Sequence, residues 1–195
     1  KIEWVEPLNE QWQLGIPGDI QRKNAAVAKG TLLALRQFGW NISNKKIKEG
    51  FKLAKWPGRM QKTTWRNKPV LIDGAHNPHA AKALAIERIN WTGQESGVQW
   101  ILGIQKQKDA EQIIRILLKT KDKAWIIPVP GHTSWTKNQL IKNCPEFASQ
   151  IFEGINAEEV LSYFISNNNW PSTHPVITGS LYLIGDLFSK KVLKS

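Results

Sequence analysis

The sequence predicts an α/β protein with a mostly parallel sheet covered by helices on both faces, because strand and helix signals alternate from residue 57 onward. Two stretches anchor that expectation. Trp56-Pro57-Gly58-Arg59-Met60-Gln61 stops a helical pattern and precedes a fresh strand pattern, since proline and glycine together end helical periodicity. Pro69-Val70-Leu71-Ile72-Asp73-Gly74-Ala75-His76-Asn77-Pro78-His79 reads as a buried strand that ends in a carboxylate, crosses a glycine turn and opens a helix. Asn77 suits the N-cap of that helix and Pro78 its first position.

Residues 1–17 hold short alternating apolar segments, expected to be strands at the end of an earlier sheet. Gly15, Pro17 and Gly18 break the chain. From Gln21 or Asn24 to about Phe38, an alanine- and leucine-rich run has helical spacing that stops at Gly39. Ser43 or Asn44 caps a second helix carrying Ile47, Phe51, Leu53 and Ala54, which ends before Pro57. The break there divides the chain into 1–56 and 57–195. Beyond it, strands are expected over 70–73, 98–104, 124–129 and 176–178, with a shorter one near 151–152. Helices are expected over 78–89, 109–119, 136–143, 157–166 and 180–193. The stripe Leu181, Ile184, Gly185 and Phe188 and the ten tryptophans are assigned to packing.

Composition narrows the function classes. With 195 residues and 41% apolar content, the chain can pack a core for one domain or one and a fraction. No apolar run reaches the roughly 18 residues of a membrane helix, and Lys1-Ile2-Glu3-Trp4 lacks the apolar core of a secretory signal, so a soluble cytoplasmic protein is expected. Cys144, the single cysteine, excludes an internal disulfide and reads as an inert buried thiol. The only methionine is Met60, which predicts a fragment of a longer protein. Net charge is +11, and between Lys45 and Lys68 nine Lys or Arg residues face one acid, Glu49. That run, with Trp56 and Trp65 inside it, is open to three readings: a nucleic-acid surface, a field attracting small polyanions, and, preferred, a solvated helix face plus a linker.

Several polar residues stand where chemistry could use them. Asp73 ends an expected central strand, where open α/β sheets place ligand groups, and its carboxylate can accept from ribose hydroxyls or cap the following turn. His76 lies just before a helix start, whose free N–H groups and positive dipole end attract phosphate; its imidazole is expected to donate to a phosphate oxygen whether neutral or charged. Arg59 carries a planar fork suited to phosphate, carboxylate or a surface ion pair. Asn24 can read the edge of adenine or cap a helix. Ser180, beside Gly179, begins a helix and can cap it or meet an anion. No G-x-x-x-x-G-K-[ST] phosphate loop is present, so the chain alone is not expected to hydrolyse ATP, and no residues read as metal ligands.

Four stretches in order, GDIQRKNAAVA from Gly18, WPGRMQ from Trp56, VLIDGAHNPHAAKALA from Val70 and TGSLYLIG from Thr178, resemble the C-terminal part of the bifunctional folylpolyglutamate synthase/dihydrofolate synthase family, a branch of the Mur ligase superfamily. The resemblance implies a Rossmann-like Mur ligase C-terminal domain over 57–195. Before it, 1–56 would be the C-terminal remnant of an ATP-binding domain whose missing part holds the phosphate loop, the magnesium ligands and most of the pterin site. The implied activity is ATP-dependent ligation of L-glutamate to folate, or also to dihydropteroate, through an acyl phosphate. The implied partners are ATP with Mg2+, L-glutamate and folate or dihydropteroate, for a monomer that uses neither membrane nor nucleic acid.

By the same resemblance Asn24 sits at the base of ATP with Gln21 as companion, Arg59 and His76 at its phosphates, Asp73 at its ribose, and Ser180 beside the incoming glutamate. No residue is assigned the catalytic step. Two places depart from the family pattern: Gln107 replaces the first aspartate of an L-G-x-x-x-D-K-D motif that Lys108 and Asp109 continue, and Gly131-His132-Thr133-Ser134-Trp135 stands where many relatives have an arginine. Two rivals stay open, a peptidoglycan Mur ligase using the same chemistry and a non-catalytic basic module that binds polyanions. WPGR and TGSLY favour the folate branch.

Overall fold

The computed structural model describes residues 2–91, 97–167 and 170–193. The chain divides into two compact units, Lys1–Arg59 and Met60–Ser195. In the first, α1 (Asp19–Ala34) runs into a tight 3-10 turn, Leu35–Phe38, and α2 (Asn44–Leu53) follows. Gly39, at φ +86, ends the first helical run in the left-handed conformation that glycine adopts without strain. Ser43 caps α2 by accepting from the Lys46 N–H. The expected early strands are absent from the described residues 2–17. That segment lies along α1 instead: Leu8 N–H donates to the Arg22 carbonyl at 3.2 Å, and the Arg22 guanidinium donates to the Asn9 carbonyl at 2.7 Å.

The second unit alternates strands and helices: β1 (Gln61–Trp65), β2 (Lys68–Ile72), α3 (Pro78–Glu87), β3 (Gln99–Leu102), α4 (Ala110–Leu117), β4 (Lys123–Ile126), α5 (Lys137–Asn143), β5 (Ile151–Glu153), α6 (Ala157–Ser166), β6 (Val176–Thr178) and α7 (Leu181–Ser189). The six strands form one sheet in the order β1-β2-β6-β3-β4-β5. All pairs are parallel except β1 with β2. Side-chain alternation along the central strands sends Leu71, Trp100, Leu102 and Val176 into one apolar cluster with α3, α4 and α5. It sends Ile72, Ile101 and Ile177 into a second, with α6 and α7. Both faces are therefore covered, as a parallel sheet requires.

Three expectations need correction. Strand β1 was expected as linker, because Gln61-Lys62-Thr63-Thr64 is polar; it is an edge strand, which needs only one apolar face, and Trp65 supplies the buried anchor. The basic run therefore ends in a hairpin, with the Arg66 guanidinium 4.5 Å from the Trp65 ring. Trp4, Trp40 and Trp56 are exposed rather than packed, and on α7 the buried set is Leu183, Ile184 and Leu187, with Leu181 exposed. Among the described residues, no helix is long and apolar enough to cross a membrane.

The amino-terminal pole of the sheet is locked by Asp122. Its buried carboxylate accepts from both Arg88 terminal nitrogens at 2.5 and 2.6 Å, from the Val98 and Lys119 N–H groups, and from the Trp100 indole at 3.0 Å. These bonds pin the approaches to β3 and β4, leaving the opposite pole to carry ligands.

Candidate functional site

At the carboxyl ends of β2, β6 and β3, three neighbouring loops are tied together. Asp73 follows β2 and is 7% exposed. One carboxylate oxygen accepts from the Ala75 N–H at 2.8 Å and the other from the Met60 N–H at 2.9 Å. The carboxylate thus caps its own turn, as an aspartate can, and holds the first residue of the second unit. The Ala75 carbonyl in turn accepts from the Gly179 N–H at 2.9 Å and the Thr178 hydroxyl at 3.3 Å, and the Gly103 N–H donates to the Thr178 carbonyl. The loop after β2 is thereby fixed to the loop before α7.

His76 is half-buried, and its Nδ1 lies 2.8 Å from the Gly74 carbonyl. A carbonyl only accepts, so Nδ1 carries a proton and Nε2 of the neutral ring presents a lone pair. In that tautomer Nε2 donates to an oxygen only when the ring carries a second proton. Asn77 caps α3 by accepting from the Ala80 N–H at 2.8 Å, with Pro78 at the first turn. His79 is exposed.

Ser180 caps α7, its hydroxyl accepting from the Tyr182 N–H at 3.1 Å, and the residue is only 2% exposed. Its hydroxyl proton remains available to donate. The loop after β4 reaches the same helix, where the His132 and Tyr182 rings lie 4.2 Å apart. Asp109 caps α4 by accepting from the Gln112 N–H, and Gln107 donates to Gln105, so the departure at Gln107 is absorbed within its own loop. In the loop from Gly131, the Ser134 hydroxyl accepts from the Val129 N–H, and Trp135 N–H donates to the Ile104 carbonyl.

Asn24 and Arg59 belong to the first unit. Asn24 lies inside α1, not at its start, which removes the capping role; its amide donates to the Gln21 side chain at 3.0 Å. Both amides line a cavity of about 370 Å³ whose other walls include Leu14, Ala28, Phe51 and Trp56. Arg59, the unit's last residue, is half-buried. Away from these residues, burial pushes the Cys144 thiol up, and burial with nearby Lys62 holds His174 below its ordinary value.

Sequence reasoning placed Asp73, His76 and Ser180, which the structure brings to one pole of the second unit. It missed the Met60 N–H and the Gly179 crossing, because backbone donors leave no residue-type signal.

A family model for the C-terminal domain of dihydrofolate synthetase matches residues 58–190. The probable dihydrofolate synthetase of Schizosaccharomyces pombe is 29% identical over 188 residues, which are 89% of this chain and 43% of that protein. Folylpolyglutamate synthase of Lacticaseibacillus casei is 31% identical over 177 residues, covering 88% of this chain and 38% of that protein. The solved structure of folylpolyglutamate synthase from Thermotoga maritima superimposes with a TM-score of 0.66 at 27% identity, over 91% of this chain and 40% of that one. The chain thus spans about two fifths of the length of these relatives.

Proposed function

The chain belongs to the dihydrofolate synthetase C-terminal domain family, and on that premise we propose that it is the C-terminal part of an ATP-dependent ligase joining L-glutamate to a folate or to dihydropteroate. Residues 57–195 act as the glutamate-ligase domain and residues 1–56 as the end of the ATP-binding domain. The observation that carries the reading is the Asp73 carboxylate, fixed by the Met60 and Ala75 N–H groups at the end of β2, with the His76 ring locked beside it at the start of α3.

The reaction must activate a carboxylate, because the anion is a poor electrophile. A carboxylate oxygen of the pteroyl acceptor attacks the γ-phosphorus and ADP leaves. The amine of glutamate then attacks the acyl phosphate, loses a proton and expels phosphate. In this scheme Asp73 accepts from the ribose hydroxyls, while Arg59 neutralises phosphate charge and His76 stands beside Asp73 at the start of α3. Gln21 and Asn24 offer donors and acceptors to adenine in the apolar-walled cavity of the first unit. Ser180 donates its remaining hydroxyl proton toward the glutamate carboxylate. Among the described residues no three His, Cys, Asp or Glu side chains gather as metal ligands. The resemblance assigns the magnesium ligands to the part of the ATP-binding domain beyond residues 1–56, so no described residue is given that role and no step runs through the ion. The protein acts as a cytoplasmic monomer in this reading.

The test is made on this chain joined to the phosphate-loop portion of a family member, following phosphate release that requires ATP, folate and glutamate together. Asp73→Asn and Arg59→Lys should each lower kcat/KM by about a hundredfold, the loss of one charge-assisted contact at the transition state. Turnover unchanged in both variants would overturn the assignment. The +11 charge sustains one rival, a polyanion-binding module. Salt-dependent binding of duplex DNA at physiological ionic strength, with no calorimetric response to Mg-ATP in the joined protein, would favour that rival.

A further inference from the structure

His132 and Tyr182 are both exposed, Tyr182 by 60%, yet their rings meet with centroids 4.2 Å apart and planes tilted by 49°. Packing of the core does not call for that contact. It joins two loops at the ligand pole, the one after β4 and the one that opens α7. The backbone of His132 is held as well: its N–H donates to the Val129 carbonyl at 3.1 Å, and its carbonyl accepts from the Ser134 hydroxyl at 3.1 Å. The Thr133 carbonyl accepts from the Lys106 N–H at 2.9 Å, which ties this loop to the one after β3. The three segments converge closely, since a Cβ built on Gly103 would lie 2.9 Å from Leu183 Cδ2 and 3.2 Å from Val129 Cγ2. An exposed imidazole that would otherwise turn freely is therefore seated at the start of α7. Its seat is linked to Ser180 directly, the Tyr182 N–H donating to the Ser180 hydroxyl oxygen at 3.1 Å.

An incoming glutamate carries two carboxylates, whereas Ser180 has one hydroxyl proton to offer. The α-carboxylate shares a carbon with the amine that reacts, so it goes with the deeper donor, and Ser180 is 2% exposed. The side-chain carboxylate lies further out and needs a donor at the rim. An imidazole carries at least one ring N–H in either charge state, so His132 can donate there whether neutral or charged. We propose that His132 is a specificity-determining residue of the ligase: held on Tyr182, it donates to the side-chain carboxylate of the incoming glutamate while Ser180 meets the α-carboxylate. This rests on the ligase reading given above. Such a donor favours glutamate over glutamine, because a hydrogen bond to a charged acceptor is stronger than one to a neutral amide oxygen.

The test uses this chain joined to the phosphate-loop portion of a family member, with turnover measured against glutamate and against glutamine. His132→Phe keeps a ring on Tyr182 and removes the N–H. It should raise KM for glutamate about tenfold, leave kcat and the KM for ATP within about twofold, and lower the preference for glutamate over glutamine by about the same tenfold. His132→Gln returns an N–H without the ring and should recover part of that preference. Tyr182→Leu takes away the seat and should also raise KM for glutamate. With turnover present in the parent protein, three results would each overturn the proposal and leave the ligase reading intact. They are an unchanged glutamate KM in His132→Phe, a KM for ATP that rises as much as that for glutamate, and no recovery in His132→Gln. A parent protein without glutamate-dependent turnover would instead defeat the ligase reading, and this proposal with it.

Discussion

Gly179 lies at φ +99, and a Cβ added there would sit 2.6 Å from the Gly103 carbonyl oxygen. Two loops at the ligand pole therefore cross at a point only glycine fills. Gly179→Ala should cost about 1–3 kcal/mol in urea unfolding, from backbone strain and the forced separation of the loops. His174 provides a test by pH. Burial first, and Lys62 second, hold its folded-state value below the ordinary 6.5. As pH falls through the range below 6.5, the unfolded chain takes up this proton and the folded protein does not. Stability should therefore rise with pH across that window and be lost on acidification. His174→Asn should flatten this part of a stability profile measured from pH 5 to 8; an unchanged slope would assign it to other groups. At this scale Asp73 and His76 were legible because a strand, a glycine turn and a capped helix are local features. The Trp100 and Arg88 partners of Asp122 were not, since they lie 22 and 34 positions away and only folding brings them together.

Helix α3 shows how far local signals reach. Asn77 and Pro78 specified its start to the residue, and Asn77→Ala should cost about 1 kcal/mol by leaving the Ala80 N–H without its acceptor, measured as a shift in the urea midpoint at constant slope. Its end was less legible: the apolar spacing continues to Ile89, but the α-helix stops at Glu87 and a 3-10 turn, Arg88–Asn90, follows. Arg88, the first residue of that turn, meets Asp122, a partner 34 positions away. Strand β1 was missed for a related reason. Its turn places Arg66 and Asn67 at φ 45 and 64, the paired positive values of a tight hairpin, but Arg is an uncommon choice there and sends no turn signal. Early strands were expected and not found because alternation specifies a strand only where a sheet exists to receive it.

Over the whole molecule, the two units differ in what they contain. The second holds the complete six-stranded sheet, both apolar clusters and the Asp122 lock, and the bond from the Met60 N–H to Asp73 falls within it. The first holds two helices and a segment lying along one of them. This contrast was only partly legible in the sequence: Pro57 and Gly58 mark the end of a helix, whereas the completeness of a core depends on which apolar residues meet. A chain of residues 60–195 should therefore fold alone with a single cooperative urea transition, its midpoint close to that of the same region in the full chain followed by hydrogen exchange. Residues 1–59 alone should show no cooperative transition, because the three buried apolar side chains among the described residues cannot offset about 1–2 kcal/mol of backbone entropy per ordered residue. A cooperative transition in the short piece, or none in the long one, would mean that stability is shared across residue 59 and that the two units do not fold separately.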